Sequence, residues 1–350
     1  MNEKTVKVGL MCHIYHEEVL ILLYEMCRDA GKIITLFLSE QVYSNTFGYW
    51  EGRQGKFLLQ VIPGSGLHFY SEVFQLAHDI DELIGTEVPG CLGFSRENFE
   101  GKLSWVLHEL VFDFGLEWIP PWRRGKVERK KRHAEYVKYG DGYYVLSTEM
   151  REFSVKFTRK DVYVIPITAL PTNCSGQSDK LFTVVISGRV TECKDYESAI
   201  NIILAIRQQG LSIRLMLLGR LGTDQYALRI QKVIEEANQK YPELVTYYEN
   251  YIEDAAFGKI ISRCDCLLAP LNRNNSFLNR CFSKKNLIDY HISNHITGSY
   301  EESIRYQKPI LYPVWFYNPC PVPEGTMLYS NNGELREILV NLIGCGYREA

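Results

Sequence analysis

No stretch of the 350-residue sequence holds the roughly 18 consecutive apolar residues that a membrane-crossing helix needs. There is no short-period repeat and no low-complexity tract. Charge of one sign is not in excess: 39 Lys and Arg stand against 42 Asp and Glu, a formal net charge of −3. That balance argues against a nucleic-acid partner, and none is expected. The ten cysteines include no CxxC pair, and Cys264-x-Cys266 has no second pair for zinc, so no metal is expected. Buried reduced thiols are the expectation. The opening Met1-Asn2-Glu3-Lys4 runs straight into a strand-like Val6–Cys12, too short for a secretory core, which points to a cytoplasmic protein.

Apolar and aromatic residues are abundant. Hydrophobic residues make up 46% of the chain, with 23 Tyr, 16 Phe and 5 Trp, enough to bury a large core. The length predicts about two domains. Strand and helix patterns alternate from end to end, which favours parallel α/β sheets. Val6–Cys12, Glu17–Ala30 and Ile33–Leu38 read as strand, helix and strand, the helix placing Val19, Leu20, Leu22, Leu23 and Met26 at helical spacing. Ser104–Phe112 reads as a strand, Lys126–Tyr139 as a charged helix and Gly142–Leu146 as a strand. Residues 41–103, rich in aromatics and glycine, read as a helix-and-loop insertion. A turn-rich segment from Pro171 to Ser178 then separates a second α/β series that begins at Leu181. The expectation is an α/β protein of two doubly wound Rossmann-like domains facing a cleft, residues 1–171 and 172–350.

Two loops carry candidate chemistry. Phe182–Ile186 runs into Ser187-Gly188-Arg189-Val190-Thr191-Glu192-Cys193-Lys194-Asp195, with a helix behind. Arg189 and Lys194 thus stand beside a helix N-terminus, where backbone N–H groups and the helix dipole favour an anion such as a pyrophosphate. The bland reading is two solvated cations. In the second loop, His295-Ile296-Thr297-Gly298-Ser299-Tyr300-Glu301-Glu302, a carboxylate in the first helical turn could accept from ribose hydroxyls. Ser299-x-x-Glu302 equally reads as a capping box, which needs no ligand.

Together these segments resemble the family 4-type glycosyltransferases of GT-B fold. Gly188-Arg189 with Lys194 looks like the loop that opens that family's C-terminal domain, and Glu302-Ser-Ile-Arg-Tyr-Gln-Lys-Pro309 aligns with its Glu-Ala-Met-Ala-x-Gly-x-Pro segment. Leu107-His108-Glu109-Leu110 and Tyr144–Met150 resemble strand ends of its first domain. The resemblance implies a retaining, metal-independent transfer of sugar from a nucleotide-sugar donor to a glycan or lipid-linked acceptor, in surface polysaccharide biosynthesis. It implies that Arg189 and Lys194 neutralise the departing diphosphate, that Gly188, Thr297, Gly298, Ser299, Glu301 and Glu302 hold the donor, and that His108 orients the sugar. His13 and His16, in the loop after the first strand, are the candidate acceptor contacts; a shared metal at these two is the other reading weighed. For His108 the bland reading is a buried ring satisfied by Glu109. The sequence departs from the family where its Glu-x7-Glu pair has Asn294 before Glu302, and where Cys12-His13-Ile14-Tyr15-His16 replaces a glycine-rich loop. Those departures keep open a non-catalytic relative that binds nucleotide or glycan and scaffolds a partner. A sugar-nucleotide epimerase on the same fold is a third reading.

The run Arg123–His133 holds seven Lys or Arg and one Glu and follows Trp118 and Trp122. Its Arg123–Arg132 stretch is the candidate for a peripheral contact with an anionic membrane surface; the alternative is a solvated helix face.

Overall fold

The structure, a computed structural model, describes residues 5–14, 16–53, 55–64, 66–89, 99–116, 119, 122, 124–167, 169, 181–188, 190–192, 194–248, 252, 254–271, 298–316 and 323–344, excluding the side chains of 254, 255 and 316. The chain divides after Ile167 into two compact units. The expected boundary at 171/172 falls outside the described residues.

The first unit is built from β1 (Lys7–Cys12), α1 (Glu17–Asp29), β2 (Ile33–Ser39), α2 (Glu40–Glu51), β3 (Leu58–Ile62), α3 (Gly66–Leu76) and β4 (Glu82–Gly85), followed by β5 (Lys102–Val106), α4 (Leu110–Asp113), α5 (Arg124–Tyr139), β6 (Gly142–Val145), α6 (Thr148–Ser154) and β7 (Asp161–Val164). Its seven strands pair in parallel in the order β3-β2-β1-β4-β5-β6-β7. The order therefore reverses between β1 and β4, and a doubly wound sheet opens a ligand crevice at such a reversal, beyond the carboxyl ends of the strands.

β2, Ile-Ile-Thr-Leu-Phe-Leu-Ser, is buried from Ile34 to Ser39, as a parallel strand covered on both faces should be. α1 buries Val19, Leu20, Leu22, Leu23, Tyr24 and Cys27, and Tyr24 meets Trp50 and Phe57 edge-on at 5.2 and 5.6 Å. Burying each such side chain contributes about 1.5–3 kcal/mol. Ser39 ends β2 and caps α2, its hydroxyl accepting from the Val42 N–H at 3.2 Å.

Residues 41–103 are thus no insertion. They supply α2, β3, α3 and β4, two ordinary βα units of the sheet. The expected strand Ser104–Phe112 divides into β5 and the short α4.

The second unit contains β8 (Phe182–Ser187), α7 (Tyr196–Gln208), β9 (Ile213–Arg220), α8 (Gln225–Lys240), β10 (Val245–Tyr248), α9 (Asp254–Arg263) and β11 (Cys266–Leu268), then α10 (Gly298–Arg305), β12 (Ile310–Pro313), β13 (Thr326–Tyr329) and α11 (Asn332–Gly344). Its six parallel strands run β10-β9-β8-β11-β12-β13 and reverse between β8 and β11. α7, α8 and α11 bury Ile200, Ile203, Ile230, Ile234, Leu335 and Leu339 in one core with β8 and β9. The sequence reading missed β13.

Among the described cysteines, Cys12, Cys27, Cys264 and Cys266 are buried thiols. Burial pushes the Cys27 thiol to about 11 and that of Cys264 to about 12, so neither is a nucleophile near neutrality. No helix among the described residues is long and apolar enough to cross a membrane.

Candidate functional site

The switch point of the second sheet lies where β8 ends. Gly188 leaves the strand with φ +83°, a left-handed conformation that glycine adopts without strain. A Cβ at this position would stand 3.1 Å from the Lys194 Nζ. The missing side chain therefore lets the ammonium fold back over the strand end, where it donates to the Ser187 carbonyl. The loop is tied down around it. Lys194 bridges Leu271, the Asp195 N–H donates to the Pro270 carbonyl at 2.6 Å, and the Tyr226 hydroxyl donates to the Lys194 carbonyl at 2.6 Å. Asp195 then caps α7, accepting from the Ser198 N–H at 3.1 Å.

α10 begins next to the same strand end. The hydroxyls of Ser187 and Ser299 are hydrogen-bonded at 2.9 Å and buried, which fixes the first turn of α10 against β8. Ser299 lies inside the helix and spends its hydroxyl on Ser187, so it is not the N-cap that the capping-box reading supposed. A Cβ on Gly298 would lie 3.7 Å from Glu302 Oε1, which places that carboxylate back towards the start of the helix. Glu301 faces the interior, where Arg305 Nη1 donates to its Oε1 at 3.3 Å and both side chains are about nine-tenths buried. The structure therefore brings Gly188, Lys194, Gly298, Ser299 and Glu302 to one strand end. Arg189, Asn294 and Thr297 lie outside the described residues.

The switch point of the first sheet gathers different chemistry. His13 and His16 follow β1, Thr86 and Glu87 follow β4, and His108 follows β5. His16 precedes α1 with φ 70°, an uncommon conformation for a side chain of this size, and its ring stacks on His108 with centroids 3.5 Å apart and planes 8° from parallel. The His108 Nε2 donates to the Thr86 carbonyl at 2.6 Å, which leaves Nδ1 unprotonated in the neutral ring. Glu109 is exposed and is not its partner. The His13 Nε2 accepts from the Gly66 N–H at 2.8 Å, so that lone pair is engaged within the protein.

Burial, and then the charge of His16, push the His108 imidazole down to about 3. Burial also works against a charged His16, but the Glu18 carboxylate 3.4 Å from its Nδ1 outweighs that and holds its pKa above the usual value. When the stacked pair takes a proton, the proton sits on His16. Burial lowers His13, with Glu87 opposing. Two rings of one crevice are thereby kept neutral near pH 7, able to hydrogen-bond without charge.

Glu87 is the residue that sequence reasoning missed. Its Oε1 accepts from the His13 and Ile14 N–H groups, each at 3.1 Å, and from the Tyr70 hydroxyl at 3.2 Å. The signal was hidden because β4 is four residues long and lay in the segment taken for an insertion.

On α5, Arg124, Lys126, Arg129 and Lys131 are exposed, whereas Lys130, Arg132 and His133 are half-buried. His133 Nε2 lies 2.8 Å from Asp113 Oδ1, which anchors the helix to α4. Trp122, just before the helix, is 77% exposed.

No family model matches the chain, and no curated protein matches its sequence. Solved structures do match it over nearly its whole length. An α,α-trehalose-phosphate synthase (UDP-forming) from Burkholderia vietnamiensis superposes with TM-score 0.59 at 10% identity, covering 99% of this chain and 91% of that one. HepE from Anabaena, in complex with UDP and glucose, gives 0.58 at 12% identity over 97% and 90%. A glycosyltransferase from Rickettsia africae gives 0.56 at 8% identity over 98% and 89%. At such identities the likeness is one of fold: the chain has the GT-B fold of these structures, with two Rossmann-like domains, as the sequence resemblance implied.

Proposed function

We propose that the protein is a retaining glycosyltransferase that moves a sugar from a nucleotide-sugar donor to a glycan or lipid-linked acceptor, as in surface polysaccharide assembly. The observation that carries this reading is the convergence at the end of β8. The Lys194 ammonium lies over Gly188 there, and the first turn of α10 is pinned beside it through Ser187 and Ser299. A cation and a helix N-terminus at a switch point suit a diphosphate. The bound UDP of HepE makes UDP the first nucleoside diphosphate to test.

In this reading Lys194, with Arg189, neutralises charge developing on the departing diphosphate, which is electrostatic stabilisation of the transition state. Glu302 holds the ribose, while Gly298, Thr297 and Ser299 offer backbone N–H groups. His108 orients the transferred sugar, and the crevice holding His13 and His16 takes the acceptor. The reaction needs neither metal nor cofactor in this scheme. Glu301 is assigned a supporting part, because its carboxylate is paired with Arg305 behind the first turn of α10. The protein acts in the cytoplasm, and the exposed cations of α5 with Trp122 form a peripheral contact with an anionic membrane. Neutralising Arg124, Lys126, Arg129 and Lys131 should abolish sedimentation with anionic liposomes; undiminished sedimentation overturns that contact.

The direct test is a thermal-shift panel of nucleoside diphosphates and their sugars, followed by donor turnover with candidate acceptors. Selective stabilisation and transfer are expected. Asn294, where the family it resembles carries Glu, favours the second reading, a non-catalytic nucleotide or glycan binder. Saturable donor binding with neither hydrolysis nor transfer would establish that reading instead.

A further inference from the structure

We infer that Glu87 fills the anion-accepting turn of the first sheet with the protein's own charge, so that this crevice selects an uncharged polyol and rejects a phosphorylated one. The inference deepens the proposed function by naming the acceptor class, and it rests on that reading only for the identity of the crevice as an acceptor site.

The turn between β1 and α1 is where a parallel sheet presents free backbone N–H groups to a ligand at its switch point. Here the N–H groups of His13 and Ile14 both donate to a single oxygen of Glu87, at 3.1 Å each. The Tyr70 hydroxyl supplies a third bond to that oxygen at 3.2 Å. Two backbone donors that a phosphate could use are thus already engaged by a carboxylate that is 15% exposed.

The groups around this carboxylate oppose a second anion. Glu17 and Glu18 stand in the first turn of α1, where the helix dipole favours negative charge. The Glu17 carboxylate accepts from Asn45 at 3.0 Å, and Glu18 faces His16. The His13 ring, 3.9 Å from Glu87 through Nδ1, uses its Nε2 lone pair on the Gly66 N–H and is held neutral by burial. His108 is neutral as well. His16 is the imidazole that takes charge, and Glu18 already answers it. An entering phosphate dianion would face three carboxylates, whereas sugar hydroxyls can donate to such groups.

The test uses inorganic phosphate as the probe and the full chain, wild type, Glu87→Gln and Glu87→Ala. Backbone amide shifts of His13 and Ile14 report the first crevice, and those of Gly188 and Lys194 report the second unit. Wild type is expected to show no saturable shift at His13 or Ile14 across the millimolar range. Both variants should gain one, at least about tenfold tighter than any residual wild-type response, because one like charge has been removed beside a dianion. Glu87→Gln keeps the shape of the side chain and carries the test if the alanine variant folds poorly. Phosphate that titrates His13 and Ile14 in wild type as well as in the variants would overturn the inference, and so would variants that gain nothing. Failure of nucleotide to bind the second unit would defeat the proposed function and leave this result standing.

Discussion

Replacing Lys194 by Met isolates the electrostatic part of the proposed donor site. The substitution keeps most of the aliphatic stem and removes the ammonium that folds over Gly188. A hydrogen bond to a charged group contributes about 1.5–3 kcal/mol, so Kd for the preferred nucleoside diphosphate should rise by roughly 10- to 150-fold. At a concentration 100 times the wild-type Kd, ligand stabilises wild type by about 2.7 kcal/mol. With Kd raised about 30-fold, the same concentration leaves about 0.9 kcal/mol by the same relation. For a unit of this size those figures correspond to melting shifts of roughly 5–11 °C and 2–4 °C. The unliganded variant should itself lose about 1.5–3 kcal/mol at most, because in the free protein the ammonium already donates to the Ser187 carbonyl. Calorimetric titration gives Kd, and scanning calorimetry gives both melting shifts. A Lys194→Met protein that binds the nucleotide as tightly as wild type would refute the reasoning, since the ammonium would then serve the loop alone.

Three further outcomes follow from the geometry. The folded state keeps His108 neutral, so the unfolded chain takes up the extra proton below the ordinary imidazole value of about 6.5, and stability should fall as pH drops from there towards 3. His16 works in the opposite sense: its raised pKa contributes stability below about 6.5 that is lost as pH rises through the folded value, so stability should peak near pH 6.5 in urea titrations and the acid limb should flatten in His108→Asn. A methyl group on Gly85 would sit 2.4 Å from the Trp105 ring and 2.9 Å from the Met11 Cε; Gly85→Ala should therefore destabilise by about 1–3 kcal/mol, and unchanged urea stability would contradict the packing described. Arg305→Ala breaks the buried ion pair with Glu301, so it should cost about 3–5 kcal/mol, with partial recovery in the Glu301→Gln, Arg305→Ala double variant.

Strands buried on both faces were the most legible part of the sequence. Phe182–Ser187 and Ile34–Ser39 are mostly apolar and buried throughout because helices cover both sides of a parallel sheet. Between residues 41 and 103 that signal fails for physical reasons. α2 buries Val42, Thr46 and Trp50 at helical spacing, but the stripe contains a polar Thr and the large apolar Phe47 lies off it, exposed, so the pattern is blurred in the sequence. β3 is an edge strand with Leu58 and Val61 exposed, and β4 opens on Glu82, whose carboxylate accepts from Ser104 and Tyr144. The site divided in the same way. Gly188 and Lys194 are close in sequence, and their loop could be read as a unit. The stacking of His16 on His108 and the bonds from His13 and Ile14 to Glu87 join segments brought together only by the reversal of strand order.

The account rests on a diphosphate being received at the end of β8. Titrating the selected nucleoside diphosphate into isotope-labelled full-length protein, while following the amides of Gly188, Lys194 and Gly298, tests that directly. Saturating shifts at those three positions, with His13 and His16 unmoved, are the expected result. Nucleotide that binds tightly while leaving all three unshifted would contradict it.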